Sequence, residues 1–484
     1  MKTQNRFRFA VLAGAALLAA CGGGGDDPVA VVPAPVVAEE ARTQDSRTFA
    51  PADPTAITFA AMANQVAVTD RWAGVLNGAA YRVEVPTNWN GKLVMYAHGF
   101  RGEGSALTVS NPSIRRYLIE NGYAWAASSY STNFYDVRAG VEDTNALALA
   151  FKNIATANGR TLAAPDRIYI TGHSMGGHVT GAAIEAEAMA TAKNKVRYHG
   201  AVPMCGVMGD AELFNRFAGM QVTAQALAGV PSYPTNKWSE ISALVTGTLF
   251  NTFPNDPKPQ GVKYLSVVEN LTGGVRPLFD QGIAFGGSFP SAYGTFGSDG
   301  TVTGILNRNV LDTNALTYVI EGDPTGSAAL NVAAQKLTAS PEANRLRRDG
   351  LRWIPVINGE FTIPVVSIHT LGDLFVPFGM QQVYQQRTAA KGNSNWLVQR
   401  AIRGASHCDF TIAEQVQAFS DMVAWEQGGP KPAGDDVITP TTVANPAYGC
   451  TFTNNTLGAD DVAPVPALRA GINASLPGAC TAPI

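Results

Sequence analysis

Charge is sparse in this chain and nowhere concentrated. Its 35 basic and 38 acidic residues leave a formal net charge of −3. No basic run occurs, so the electrostatic footprint of a nucleic-acid binder is missing. There is no C-x-x-C pair and no H-E-x-x-H, which removes the common zinc signatures. No internal repeat is present, and this excludes propellers and solenoids. The apolar run Phe9 to Ala20 is too short to span a bilayer as a mature helix. Histidine is scarce, with six residues, and cysteine scarcer, with five. Any chemistry that needs an imidazole therefore has few places to find one.

Lys2, Arg6 and Arg8 precede that apolar run, and residues 1–20 read as a secretion signal. It ends Leu18-Ala19-Ala20-Cys21, which resembles the bacterial lipobox; the resemblance implies a diacylated Cys21 at the mature N-terminus. Gly22, in place of aspartate, implies passage to the outer membrane, on its periplasmic or surface face. The competing reading is an ordinary cleavable signal with a chance cysteine. The glycines of Gly22–Gly25 and the acidic Asp26-Asp27 favour a tether, with acyl chains as the membrane contact. Residues 21–60 are expected to be a linker, because the Pro/Ala/Val string Val29–Val37 and the polar stretch Glu39–Pro54 pack poorly. Four further cysteines, Cys205, Cys408, Cys450 and Cys480, form an even number in an exported chain and suggest two disulfides.

Further on, strands and helices alternate. Strand patterns cover Tyr81–Tyr96 around a turn at Asn88–Gly91, Tyr123–Ser128, Arg167–Thr171, Val196–Pro203, Phe361–His369 and Trp396–Ile402. Helical spacing covers Ser110–Glu120, Thr144–Ala155, Pro377–Gln386 and Phe410–Trp425. The alternation predicts an α/β protein with a mostly parallel sheet covered on both faces, over 61–209 and 346–427. Residues 210–345 break the rhythm with helical patches (Ala211–Phe217, Ser239–Leu249, Ser327–Ala339) and Gly/Pro/aromatic loops such as Phe285–Phe296. They read as a large cap insertion that lines an apolar pocket, or has a small core of its own, or both. The Pro/Gly-rich tail, 428–484, holds Cys450 and Cys480, which are expected to staple each other.

The motif Gly172-His173-Ser174-Met175-Gly176 follows the strand Arg167–Thr171 and opens a small-residue helix, which is G-x-S-x-G in its strand–turn–helix setting. The turn must be sharp, and glycine at 172 and 176 removes side chains that would clash there. Ser174 is then presented as a nucleophile, and a serine hydroxyl needs a base. His173 points away; His178 lies on the following helix, and His199 near a strand start at the other end of the sheet. His98 follows an early strand and His369 is inside or ending one. His407, in the loop after the last strand, is the expected base. Asp373, after Phe361–His369, is the expected acid, in the chain order Ser174, Asp373, His407. Asp323 is the rival but would put the acid inside the cap, and Asp409 is too near His407 along the loop. Oxyanion donors are expected from Met175 N–H and from Phe100 N–H, with Arg101 close behind.

These motifs together resemble the α/β-hydrolase superfamily from about residue 75 to 427. The resemblance implies Ser174 as nucleophile, Asp373 as acid, His407 as base, and Phe100 and Met175 as oxyanion donors. His407-Cys408 is similar to the base-plus-cysteine pair of feruloyl esterase and tannase-like enzymes, where that cysteine bonds one beside the nucleophile. Position 173 here is histidine, so that link is absent, and Cys205 is the substitute partner for Cys408 that the resemblance points to. The expected activity is carboxylic-ester hydrolysis without a cofactor or metal, on extracellular small-molecule or polymeric esters. The alternatives are a prolyl-oligopeptidase-like peptidase, which lacks its propeller repeats here, and a catalytically inactive surface binding lipoprotein.

Overall fold

The computed structural model of the chain describes residues 48–51, 57–285, 287–298, 300, 305–306, 308–347, 350–461, 465–476 and 480. The secretion-signal reading, Cys21 and most of the linker reading lie outside the described residues.

Eight strands form one sheet: β1 (Thr69–Leu76), β2 (Ala79–Pro86), β3 (Lys92–Ala97), β4 (Ala124–Ser128), β5 (Arg167–His173), β6 (Gly200–Met204), β7 (Val365–Thr370) and β8 (Leu397–Ile402). Their order is β8-β7-β6-β5-β3-β4-β2-β1. β1 runs antiparallel to β2 and β2 to β4, while all other neighbours are parallel. The period-two rule explains why the parallel strands are apolar throughout. On β3, Leu93, Met95 and Ala97 face a core built with helix α2 (Val137–Ala157) and helix α3 (Met175–Ala183). Val94 and Tyr96 face the opposite core, with helix α1 (Arg115–Glu120) and helix α9 (Ile412–Glu426).

Local chemistry accounts for where several elements depart from the sequence expectation. α2 starts two turns before Thr144 because the Asp136 side chain accepts from Ala139 N–H and caps it there. β7 starts at Val365, directly after Pro364, whose ring cannot donate to a ladder. β6 starts at Gly200 rather than Val196, and α1 at Arg115, after the turn containing Pro112. Residues 57–60 already pack on the sheet: Arg82 donates to the carbonyls of Ile57 and Thr58, and Arg115 to that of Ala60.

Between β6 and β7 lie α4 (Ala211–Leu227), α5 (Trp238–Leu249), α6 (Pro259–Leu271) and α7 (Pro324–Ala333). They bury a third apolar cluster containing Val245, Tyr264, Val268 and Phe289, which reaches Leu374, Val376 and Met380 after β7. α8 (Gly379–Ala390) follows β7, and α10 (Val465–Ser475) lies in the tail. The two disulfides are Cys205–Cys408 and Cys450–Cys480. Among the described residues no helix is long and apolar enough to cross a membrane.

Candidate active site

The site forms at the carboxyl ends of β3, β5, β6, β7 and β8. Register brings Ala97, the last residue of β3, beside Gly172 of β5. There the chain reverses into α3 through Ser174, held at φ 58° and ψ −121°, a region that L side chains rarely adopt. A Cβ at Gly176 would lie 2.0 Å from the Ala97 carbonyl oxygen, and one at Gly172 2.4 Å from that of Gly176. Only glycine fits at either position. Ser174 N–H donates to Met204 O at 3.0 Å, which ties the elbow to the neighbouring strand.

The loop after β8 brings His407 to the serine: Ser174 Oγ lies 2.8 Å from His407 Nε2. His407 Nδ1 is 2.6 Å from Asp373 Oδ2, and the acid side chain is fully buried. A carboxylate there accepts the Nδ1 proton and leaves the Nε2 lone pair facing the serine hydroxyl. The other Asp373 oxygen accepts from the backbone N–H of Phe375 and Val376, at 3.0 and 2.9 Å. The loop itself is pinned by Cys205–Cys408, by Thr370 Oγ1 donating to Ser406 O, and by Gly372 N–H donating to Gly404 O. The structure thus brings together Ser174, Asp373 and His407 in one hydrogen-bonded row.

The remaining sequence candidates are placed elsewhere. Asp323 caps α7 through Gly326 N–H and pairs with Lys263. Asp409 accepts from Ala405 N–H, and burial pushes its carboxyl up to about 6. His98 and His178 are buried and His173 is half-buried, and desolvation pulls each down to about 4. His173 accepts from Tyr96 O–H and donates to Gln415 Oε1, turned away from Ser174 Oγ. His369 bonds Val376 O, 3.8 Å from Asp373 Oδ2. His199 Nδ1 accepts from Ile168 N–H, at the amino end of the sheet.

Met175 N–H opens α3, where first-turn donors have no partner within the helix. The segment holding Phe100 passes close beside the elbow: a Cβ on Gly99 would sit 3.3 Å from Ser174 Cβ. Among the described residues, no backbone bond outside the helices and strands uses the N–H of Phe100 or of Met175.

Ser174 opens into a cavity of about 360 Å³. Its walls carry Phe100, Tyr135, Phe214, Phe217, Phe296 and Phe375. Phe375 stacks on Phe217 and meets the His407 ring edge to face, with centroids 5.6 Å apart. Tyr135 donates to His178 Nδ1, while His178 Nε2 donates to Pro355 O. Gln221 is buried, and its amide joins α4 to Thr235 O and Gly297 N–H. The sequence reading placed an aromatic cap here but did not single out Tyr135, Gln221 or Phe375. Phe375 had a local signal, since an aspartate two residues before it commonly turns back onto its N–H.

No family model matches the chain, and no curated protein does. Solved structures similar to it include feruloyl esterase B from Aspergillus oryzae, at 16% identity and TM-score 0.45, covering 78% of this chain and 85% of that one. An esterase from Aspergillus oryzae is 12% identical with TM-score 0.42, over 75% of this chain and 81% of that one. Esterase B from Lactobacillus rhamnosis is 14% identical with TM-score 0.34, over 72% and 81%. At these scores the likenesses add nothing to what the sheet and elbow say directly. Strand order β8-β7-β6-β5-β3-β4-β2-β1, an antiparallel edge, and a serine at a strained turn after the fifth strand make this an α/β-hydrolase fold.

Proposed function

We propose that the protein is a serine hydrolase that cleaves carboxylic esters. The observation that carries this reading is the row Ser174–His407–Asp373, at 2.8 and 2.6 Å, opening onto an apolar cavity. Ser174 Oγ attacks the acyl carbonyl as His407 Nε2 takes its proton, and the buried Asp373 stabilises the imidazolium that forms. The N–H groups of Met175 and Phe100 meet the oxyanion. His407 returns the proton to the leaving alcohol, then activates the water that releases the acyl group. This chemistry asks for no cofactor. The aromatic walls suit a substrate with an apolar acyl group, a small ester or the end of a polyester chain. We further propose export and a lipid anchor at Cys21, on the lipobox resemblance, which would hold the enzyme at a membrane surface near extracellular esters.

The test uses p-nitrophenyl esters from acetate to palmitate with the protein lacking its first 21 residues, alongside Ser174→Ala. Serine-dependent turnover with a chain-length optimum is the expected outcome. Equal rates from both proteins, or failure of Ser174 to take a fluorophosphonate, would refute the assignment. Fluorophosphonate labelling without ester turnover would redirect it to peptides.

A further inference from the structure

The cavity beside Ser174 is asymmetric in charge as well as polarity. Among the described residues that line it there is no lysine, arginine or histidine, and Glu103 is the only carboxyl group. Glu103 is exposed on the loop that follows β3 and carries Phe100. That loop is held in place: Phe134 N–H donates to Gly102 O at 2.9 Å, and Asn133 Nδ2 to the carbonyls of Gly104 and Ala106. Arg101, also on this loop, is exposed and does not line the cavity. The backbone that carries Glu103 is therefore held, and its exposed side chain lines the cavity beside walls of phenylalanine and tyrosine.

Two effects act against a negatively charged ester here. An anionic group entering a ring-lined space loses hydration, and none of the described lining residues supplies a cation in its place. At the mouth it also meets a like charge, whose field the low-dielectric walls concentrate. Resting on the ester-hydrolase reading above, we propose that the cavity selects electrically neutral esters and rejects monoanionic ones, with Glu103 as the specificity-determining residue at its entrance. The same field acts on the product. Water's oxygen forms the new C–O bond, the acyl C–O bond to the alcohol breaks, and a carboxylate and a proton replace a neutral ester. Once the proton has left His407, no described lining residue carries a positive charge to hold the new carboxylate, which favours release over rebinding.

The experiment compares diethyl adipate with monoethyl adipate at pH 8 by pH-stat, since the two share one carbon skeleton and differ by a charge. After the two-fold statistical factor, kcat/KM is expected to favour the diester by about 30-fold, a size set by uncompensated burial of one charge. Glu103→Gln is expected to shrink the ratio about three-fold and Glu103→Lys further, and added salt should narrow the wild-type preference. Adipate should inhibit diester turnover weakly. Equal turnover of the two esters, or a ratio unmoved by both Glu103 substitutions, overturns this proposal while leaving the ester-hydrolase reading intact. No turnover of either ester, with Ser174 unreactive to fluorophosphonate, overturns both.

Discussion

Ser174 and Asp373 are both held by backbone geometry rather than by side-chain packing. The serine occupies a strained turn at φ 58°, and the acid accepts from two successive N–H groups while facing His407. Asp373→Asn keeps the shape but offers an amide to Nδ1, which favours the tautomer with its proton on Nε2. The base then points a proton at the serine. A fall in kcat on the order of 10⁴ with KM little changed is expected from this, measured by steady-state kinetics on the best p-nitrophenyl ester. Glu185 offers a second test at this scale. Its buried carboxyl accepts from Gly359 and Glu360 N–H, and burial pushes it up to about 7 from an ordinary 4.5. The folded state thus holds this proton more tightly than the unfolded chain. The stability it contributes is full below about 4.5 and lost as pH rises through about 7. Between pH 8 and 5, wild type should gain up to roughly 3 kcal/mol relative to Glu185→Gln, by the pKa-to-energy conversion. Urea unfolding at several pH values reads the difference, and parallel curves for the two proteins would rule it out.

At the level of elements, the elbow and the parallel strands were legible in the sequence because their causes are local. Gly172 and Gly176 are required by carbonyls 2.4 and 2.0 Å from where a Cβ would be, and the strand Arg167–His173 is apolar because both its faces are covered. Element starts were less legible. The Asp136 cap of α2 is a single residue's choice, and the antiparallel edge strand β1 alternates too weakly to stand out, with Val75 half exposed. The partners of His173 were hidden altogether, since Gln415 lies 242 residues away in the chain. Likewise Cys205 and Cys408 are 203 residues apart, and the choice between partners is settled by sheet order. β6 and β8 flank β7, so the bridge spans the strand that delivers Asp373 and ends next to His407, whose Nε2 is 3.4 Å from Cys408 Sγ. Cutting it frees the base-bearing loop on one side. The double variant Cys205→Ser/Cys408→Ser should therefore lose on the order of 10- to 100-fold in kcat/KM, the cost of a displacement near 1 Å at a catalytic group. Far-UV circular dichroism should stay close to wild type. Full activity in that variant would show that hydrogen bonds alone hold the loop.

Across the whole molecule, the tail closes the structure over the base-bearing loop. Arg469 on α10 is buried; it donates to Asp409 O at 2.6 Å and to both oxygens of Glu414, at 2.6 and 3.0 Å. Glu414 in turn completes the capping box of α9, accepting from Thr411 N–H, and also accepts from Asn454 N–H. Asn473 exchanges two bonds with Arg403, at the start of the same loop. One carboxylate thus joins the tail to the first turn of the closing helix, which begins five residues past the base. Composition alone marked this tail as Pro/Gly-rich and said nothing of its contacts, because its one arginine, Arg469, belongs to no periodic pattern that could be read. Arg469→Met would leave Glu414 buried without its cation, and breaking a buried pair from one side costs about 3–5 kcal/mol. Replacing both partners removes the stranded charge, so Arg469→Met with Glu414→Gln should recover a large part of that loss. The comparison is a denaturant titration of the three proteins. If Arg469→Met alone shifts stability by less than about 1 kcal/mol, as exposed ion pairs do, the tail is a cover rather than a clamp. If the double variant is no better than the single, what the tail supplies is the Asp409 carbonyl contact, and the stability of the His407 loop depends on that bond instead.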